Sequence, residues 1–502
     1  MSKAKKIGSA IVTTAFVAMI ASPLLVLGFR GAVEPYGQRE FTLFPPMEAL
    51  STGSSGAFDQ VASALLERSQ LKKSAISVRN TILLKIVHQY DQNNVVTGKD
   101  GWLFWKGDWF GGQCQTKYDV EMAVSRMEAM LDVAAASGIE MYFAIPSDKS
   151  TLYPEFLDPH FKKFWVCKQQ SADLLRSTIR TKASRIIDHL TALQDAKRNS
   201  PGNNLYGKVD THWTYFGGAI AFRQLLTTIF PEASGMQPPA PTEKMTLRPA
   251  DLETLMLLVG NGEAESDIDS SVETKALSSI KQFDQANSTV ILHDSFYSKI
   301  RGLTDPFRNG VEYTLGADPK EITNAVLGSN RLIVSRIERA VVDSALTGPL
   351  SWSSTLGQSL VARDELAARE CEGFASSGKS TLRGIVVDAS GFRTTTPDPQ
   401  MVATVPIPAT GRKTPCIRLQ LTLKIPDVFE IFFSPHAGED GAFVAGRSIQ
   451  LPLDAGDHAI ELVLPDYLAG RSIRIDPGDS GQQTTMRDVQ FGWRSAAGGT
   501  AR

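Results

Sequence analysis

The pattern of strands and helices predicted for this chain changes near residue 381, and this change limits the folds it can adopt. Before residue 345, short apolar runs typical of buried strands alternate with segments of helical periodicity. After residue 381, strands follow one another without helical periodicity, separated by turn sequences rich in glycine and aspartate. The first pattern favours a parallel α/β sheet and the second a β-sandwich.

The chain has 502 residues, enough for two or three domains. An acidic, Pro-rich insertion at 231–272 is expected to be irregular, apart from a helical piece that begins at Asp251. From composition and periodicity we predict a membrane anchor or signal at 1–30, a tether and the start of a helical region at 31–75, the α/β domain at 76–345, a Ser-, Gly- and Ala-rich linker at 346–380 and the β-sandwich at 381–502.

The N-terminus predicts the compartment. Lys3, Lys5 and Lys6 precede an uncharged apolar run at 7–29, which is long enough to span a bilayer as a helix. The lysines would remain in the cytoplasm, so the rest of the chain would lie outside it. We favour an uncleaved membrane anchor, and a cleaved signal peptide is the alternative. Both place the folded domains outside the cytoplasm, in an oxidising space.

Charge and cysteine spacing exclude some functions. The formal net charge is −2, so no basic excess indicates a nucleic-acid partner. No Cys-x-x-Cys pair is present, which argues against a structural zinc site. An oxidising compartment would allow two disulfides. One pairing joins Cys114 to Cys167 and Cys371 to Cys416, although spacing alone does not fix it.

Two short segments carry side chains suited to acyl transfer. The first contains Asp210 and His212, and the second is His293-Asp294-Ser295, which directly follows a predicted buried strand. Acyl transfer needs a serine nucleophile, a histidine base and an acid that orients the imidazole. On extended backbone, residues i and i+2 face the same side, so Asp210 would reach His212.

Each segment also has a simpler interpretation. Asp294 or Ser295 is a suitable helix N-cap, and the Asp-Thr-His segment is a suitable surface turn. A third alternative is a cation held by Asp210, His212, His293 and Asp294, although no HxH or HExxH spacing supports it.

Several motifs resemble those of the alginate O-acetyltransferase family, which are periplasmic SGNH hydrolase-like acetyltransferases of bacterial exopolysaccharides. The similarity covers about residues 75–340, and His293 stands where glycine is common in the family. The motifs are Gly98-Lys99-Asp100-Gly101-Trp102-Leu103-Phe104, Ile145-Pro146-Ser147-Asp148-Lys149, Asp210-Thr211-His212-Trp213-Thr214, Ala250-Asp251-Leu252 and Asp294-Ser295-Phe296.

The resemblance implies an SGNH-like acetyltransferase domain in which Ser295 takes an acetyl group with His212 as base and Asp210 as its partner. A sugar hydroxyl of an exopolysaccharide such as alginate then receives the acetyl group. The implied partners are a membrane-bound O-acyltransferase as acetyl donor and other polysaccharide secretion proteins, with no cofactor or metal. Weaker candidates for contacts with the sugar are Lys149, Trp213, Tyr297 and Arg301.

Two other functions remain open from the sequence. A polysaccharide acetyl esterase would use the same three residues, and a non-catalytic polysaccharide-binding assembly protein would not need Ser295. The predicted C-terminal sandwich resembles carbohydrate-binding modules, but a fold alone does not establish that it binds sugar.

Overall fold

The structure is a computed structural model that describes most of the chain beyond residue 40. The predicted anchor at 7–29 lies largely outside the described residues. Among the described residues, no helix is long and apolar enough to cross a membrane. The described residues are 13–14, 25–29, 31–33, 41–53, 55–86, 91–92, 94–108, 114–182, 185–236, 239–256, 262–268, 277–376, 380–389, 391–409, 411, 413–433, 443–478 and 484–495.

Helices and strands alternate as far as residue 346. The helices are α1 (Met47–Ser51), α2 (Ser55–Glu67), α3 (Gln70–Lys85), α4 (Lys117–Ala136), α5 (Lys149–Leu152), α6 (Lys162–Lys182), α7 (Leu190–Asn199), α8 (Tyr215–Ile229), α9 (Asp251–Met256), α10 (Pro319–Gly328), α11 (Glu338–Leu346) and α12 (Thr355–Ala368). The strands of this part are β1 (Asp91–Gln92), β2 (Val95–Thr97), β3 (Leu103–Trp105), β4 (Glu140–Ile145), β5 (Ile186–Asp188), β6 (Pro241–Arg248), β7 (Glu263–Ile268), β8 (Thr289–His293), β9 (Gly310–Thr314) and β10 (Arg331–Ser335).

The remaining strands lie beyond residue 370. They are β11 (Cys371–Ser376), β12 (Ser380–Arg383), β13 (Ile385–Asp388), β14 (Gly391–Thr394), β15 (Gln400–Thr404), β16 (Lys413–Leu423), β17 (Asp427–Phe433), β18 (Ser448–Leu453), β19 (Gly456–Val463), β20 (Ser472–Asp476) and β21 (Thr485–Ser495).

The predicted parallel α/β sheet is confirmed. Five strands pair in the order β5-β4-β10-β8-β9, and all four pairings are parallel. Side chains of β4 alternate between two cores: Phe143 packs with α4, α10 and α11, whereas Tyr142 packs with α7 and α8. Helices therefore cover both faces of the sheet, as expected for parallel strands buried on both sides.

Local sequence signals explain several boundaries. Helix α4 begins at a capping box in which Thr116 and Asp119 bond each other's backbone N–H groups, and it ends before Gly138, which has a φ of 80°. The predicted hairpin turn between β2 and β3 places Asp100 and Gly101 at φ values of 53° and 80°. Such positive values favour glycine and, less strongly, aspartate.

The C-terminal part contains the predicted antiparallel strands. One sheet has the order β13-β14-β21-β16-β19, with β11 also on β21, and a second has the order β12-β15-β20-β17-β18. Ile417 and Leu421 of the first sheet and Phe429 and Ile431 of the second belong to one buried apolar cluster. The strands from both sheets thus share a core.

Two segments are more regular than predicted. The predicted linker at 346–380 contains α12, which packs Leu356 and Leu360 into the core, and β11, whose Cys371 lies in a smaller buried cluster. The insertion at 231–272 contains an antiparallel hairpin, β6 with β7, beside the short helix α9. The two strands of this hairpin carry charged side chains and are largely half-exposed. Their sequences therefore lack the apolar runs that predict a buried strand.

Buried ion pairs connect the C-terminal sheets to the α/β part. The guanidinium of Arg447 lies 3.0 Å from the carboxylate of Glu128 and 2.6 Å from that of Asp132, both on α4. The side chain of Arg447 is almost fully buried. Because an unpaired charge there would be costly, these contacts fix the sheets against α4.

The two predicted disulfides form, Cys114–Cys167 and Cys371–Cys416. They span sequence separations of 53 and 45 residues, so each restricts the unfolded chain. The loop-closure relation gives a stabilisation of about 4 kcal/mol for each disulfide.

We expect serine at both Cys114 and Cys167 to lower the free energy of unfolding by about 4 kcal/mol in a denaturant titration. An unchanged midpoint and slope would contradict this expectation.

Candidate active site

Ser295 lies at the carboxyl edge of the parallel sheet, where ligands bind in open α/β folds. Strand β8 is buried throughout, and Ser295 is exposed two residues after its end. The carboxylate of Asp294 accepts hydrogen bonds from Phe296 N–H at 3.1 Å and from Ile337 N–H at 2.6 Å. Asp294 therefore shapes the turn that presents Ser295 and ties it to the chain beyond β10.

A single 3₁₀ turn, Tyr297–Lys299, follows Ser295. No α-helix begins there, so the macrodipole that a helix after Ser295 would supply is missing from this position. Among the described residues, Ser295 N–H donates no hydrogen bond to another backbone group. This backbone group is therefore free to face a ligand.

Asp210 and His212 lie in the loop between α7 and α8. Oδ1 of Asp210 accepts hydrogen bonds from the backbone N–H and from Nδ1 of His212, both at 2.8 Å. Nε2 of His212 lies 2.9 Å from Oγ of Ser295. The loop is bent rather than extended, so the carboxylate reaches His212 through this local turn and not through the predicted strand-like spacing.

The carboxylate of Asp210 is held in its charged form. Burial opposes ionisation, but the hydrogen bonds and charge of His212 and the charge of Lys299 lower the pKa of Asp210 to about 2. An ionised Asp210 accepts the proton on Nδ1, which leaves Nε2 unprotonated toward Ser295. This is the tautomer needed to accept the serine proton.

Trp213 joins the two parts of the site. Its Nε1–H donates to the carbonyl of Phe296 at 2.8 Å, and its ring packs edge-on against that of Phe296. The residue after His212 is thus bonded to the residue after Ser295. Trp213 is buried, which argues against the predicted sugar contact and favours a role in fixing the distance between His212 and Ser295.

Two other predicted sugar-contact residues are also buried. Nζ of Lys149 donates to the carbonyls of Gly207, Lys208 and Asp210 at 2.7 to 3.1 Å, and burial lowers its pKa to about 8. The hydroxyl of Tyr297 lies 2.8 Å from Nε2 of His189 in the core. Burial of Lys149 and Tyr297 therefore argues against contact with a polymer.

Arg301 is the one predicted sugar-contact residue that is partly exposed, with 35% of its side chain accessible. It lies 3.0 Å from the carboxylate of Asp267 and stacks on Tyr215, 4.1 Å from the ring centre. Arg248 stacks on the same tyrosine at 3.7 Å. Arg301 therefore holds the insertion against α8, and its charge is already paired.

His293 lies outside the hydrogen-bonded chain that contains Ser295. Its Nδ1–H donates to the carbonyl of Asp294 at 2.8 Å, and its Nε2 lies 3.7 Å from Glu312 on β9. The predicted four-residue cation site is therefore not assembled, because His293 and Asp294 use their side chains elsewhere.

Asp251, at the start of α9, lies in one of the sequence motifs, but no role in the site was predicted for it. Its Oδ1 accepts a hydrogen bond from Thr211 N–H at 2.6 Å, and its Oδ2 lies 3.6 Å from Nδ1 of His212. The ligand-type atoms of Asp210, His212 and Asp251 lie within 4.8 Å of one another. Asp210 already bonds Nδ1 of His212 and Asp251 already bonds Thr211 N–H, which favours orientation of His212 over binding of a cation.

The protonation of Glu265, on β7, makes the stability of the folded chain depend on pH. Burial, together with the charges of Glu263 and Asp210, raises its pKa to about 7 from an ordinary 4.5, against the attraction of Arg248. Between these values the unfolded chain loses a proton that the folded chain keeps, so stability falls as the pH rises. We expect Glu265→Gln to raise the Tm at about pH 8 and to change it little at about pH 5. Equal effects at both pH values would contradict this.

A parallel α/β sheet that carries Asp, His and Ser in one hydrogen-bonded chain at its carboxyl edge is typical of serine hydrolase-like acyl-transfer proteins. Residues 95–299 match the family model described as SGNH hydrolase-like domain, acetyltransferase AlgX. This match confirms the resemblance predicted from the sequence motifs.

The curated relatives are described as alginate O-acetylases. The chain is 33% identical over 137 residues to the probable alginate O-acetylase AlgJ of Pseudomonas fluorescens, covering 27% of this chain and 33% of the relative. It is 27% identical over 144 residues to the protein of the same description from Azotobacter vinelandii, covering 27% and 34%. The matched region thus spans about a third of the length of each relative.

Among solved structures, AlgX of Pseudomonas aeruginosa is similar over 80% of this chain and 95% of its own, at 14% identity and a TM-score of 0.32. The O-acetyltransferase domain of Pseudomonas putida AlgJ is similar over 50% and 92%, at 15% identity and a TM-score of 0.31. The family assignment rests on the match over residues 95–299 and not on these values.

Proposed function

We propose that this protein is an exopolysaccharide O-acetyltransferase that carries the acetyl group on Ser295. The observation that supports this most is the hydrogen-bonded chain from Asp210 through His212 to Ser295, with distances of 2.8 and 2.9 Å. Residues 95–299 match a family model described as an acetyltransferase, which supports acetyl as the transferred group. The names of the curated relatives support alginate or a similar polymer as the acceptor.

In the first step, Oγ of Ser295 attacks the carbonyl carbon of an acetyl ester while Nε2 of His212 takes the hydroxyl proton. The ionised Asp210 stabilises the imidazolium that forms. The tetrahedral intermediate then collapses, the bond to the leaving oxygen breaks, and His212 returns the proton to that oxygen. The products are acetyl-Ser295 and a free alcohol.

In the second step, a sugar hydroxyl attacks the acetyl carbonyl and gives its proton to Nε2 of His212. Collapse of the second intermediate releases Oγ of Ser295, which recovers the proton. The sugar leaves as an acetyl ester and the enzyme returns to its starting state. Neither step requires a metal or a cofactor, since His212 and Asp210 handle the proton and its charge.

Each intermediate carries negative charge on the former carbonyl oxygen, which needs hydrogen-bond donors. We assign Ser295 N–H as one donor, because it lies beside the nucleophile and donates to no other backbone group among the described residues. The exposure of Ser295 leaves room for a polymer to approach.

The proposed location is the periplasm, with acetyl groups supplied by a membrane-bound O-acyltransferase and other polysaccharide secretion proteins as partners. The relatives' descriptions as alginate O-acetylases and the two disulfides are compatible with this compartment. The N-terminal anchor and sugar binding by the C-terminal sheets remain predictions from the sequence.

An acetyl esterase is the principal alternative, because water and a sugar hydroxyl attack acetyl-Ser295 by the same chemistry. The full chain should be incubated with a chromogenic acetyl ester, with and without alginate oligosaccharides. A transferase gives oligosaccharides that are heavier by one or more acetyl groups and releases the chromophore faster when the sugar is present. Free acetate alone, at a rate unaffected by the sugar, would favour the esterase.

A further inference from the structure

The insertion contacts the loop that carries Asp210 and His212 through its backbone. Oδ1 of Asp251 accepts Thr211 N–H at 2.6 Å, and the backbone N–H of Asp251 donates to Oδ2 of Asp210 at 3.2 Å. Two hydrogen bonds therefore run in opposite directions between Asp251 and the catalytic loop. One ends on Thr211, the neighbour of His212, and the other on Asp210, which bonds Nδ1 of His212.

Glu263 of β7 adds a third contact on the other side of the same loop. Its carboxylate accepts Val209 N–H at 3.1 Å. A Cβ atom at Gly207 would lie 2.9 Å from Cβ of Asp210 and 3.1 Å from the Glu263 carboxylate. A side chain at position 207 would therefore displace Asp210 or Glu263.

From these contacts we infer that the insertion formed by β6, α9 and β7 is a positioning element for the catalytic loop, with Asp251 as its principal positioning residue. This inference rests on the proposed function. The acceptor oxygen of Asp251 fixes the Thr211 peptide between the two catalytic residues, so the carboxylate of Asp210 and the ring of His212 are held in one orientation. Lys149 holds the same loop from the core side through three carbonyls.

The direct contact of Asp251 with His212 is weaker than its hydrogen bond to Thr211. Oδ2 of Asp251 lies 3.6 Å from Nδ1 of His212, beyond hydrogen-bonding distance, whereas Oδ1 of Asp210 lies at 2.8 Å. About a third of the Asp251 side chain, 36%, is exposed, so a charge there is partly screened. The hydrogen bond to Thr211 should therefore account for most of the effect of Asp251.

The test compares Asp251→Ala with Asp251→Asn in the full chain, with hydrolysis of a chromogenic acetyl ester as the readout. Misplacing the catalytic loop should lower the kcat of Asp251→Ala by about 100-fold while KM changes less than about 2-fold. Asparagine keeps an oxygen that accepts Thr211 N–H, so Asp251→Asn should stay within about 3-fold of wild type. This rescue by a neutral side chain distinguishes positioning from a purely electrostatic effect.

Glu243→Ala is the matched control, because this acidic residue of β6 is exposed and belongs to the same insertion. It should leave kcat unchanged. Full activity of Asp251→Ala, or equal loss in Asp251→Ala and Asp251→Asn, would overturn the inference. If Ser295→Ala is as active as wild type, the proposed function itself fails, which is a different result from failure at Asp251 alone.

Discussion

Replacing Ser295 with alanine is expected to lower acetyl transfer to an oligosaccharide by on the order of 10⁴-fold or more. Alanine has no oxygen to carry the acetyl group, so the two-step route is lost. Ser295 is exposed and its hydroxyl contacts His212, so the folded structure should be unaffected. The measurement is the initial rate of oligosaccharide acetylation, together with the Tm of each variant.

The control for this variant is Ser298→Ala. Ser298 is also exposed and lies in the 3₁₀ turn three residues after Ser295. Its replacement removes a nearby serine hydroxyl but leaves Ser295 in place. We expect Ser298→Ala to retain wild-type rates. Ser295→Ala at wild-type rates would instead show that the acetyl group does not pass through Ser295.

Replacing Asp210 with asparagine is expected to lower kcat by about 10⁴-fold. Asparagine is nearly the same size, but its amide favours the tautomer of His212 with the proton on Nε2. That proton would face Oγ of Ser295, so His212 would no longer accept the serine proton. Loss of the negative charge also removes stabilisation of the imidazolium, and KM should change little because Asp210 is buried.

Asp195→Asn is a suitable control for this variant. Asp195 is exposed on α7, the helix that precedes the catalytic loop, and it pairs with Arg198 at the surface. Its replacement should leave kcat within about 2-fold of wild type, since exposed ion pairs contribute little. If Asp210→Asn kept most of the wild-type kcat, Asp210 would not be the residue that orients His212.

The position of Ser295 could be predicted from the sequence because it depends on local patterns. A β-branched apolar run followed by Asp-Ser predicts a buried strand that ends at an exposed hydroxyl, and β8 with Ser295 has this form. The other central strands were predicted for the same reason. Strand β9 was missed because Gly310–Thr314 is polar and half-exposed at the edge of the sheet.

Contacts between distant segments could not be predicted in this way. Asp251 lies some forty positions from Asp210, and nothing in its own surroundings indicates that it accepts Thr211 N–H. Lys149 was expected to be available to a sugar, yet it donates to three carbonyls in the core. Side-chain burial depends on how segments pack together, which periodicity does not describe.

The regular structure of the predicted linker was missed for a related reason. The small residues at 346–380 predict a linker between domains, but Leu356 and Leu360 of α12 are buried in the core. Small side chains allow close packing of a helix as readily as they allow an irregular linker. Composition alone does not distinguish these outcomes.

The proposed function requires Ser295 to carry the acetyl group that a sugar hydroxyl receives. This requirement is tested most directly by mass spectrometry of peptides from the full chain after brief exposure to an activated acetyl ester, before and after addition of alginate oligosaccharides. We expect the peptide containing Ser295 to gain one acetyl group and to lose it as the oligosaccharide gains one. Acetylated oligosaccharide formed while Ser295 stays unmodified, or in the Ser295→Ala protein, would contradict it.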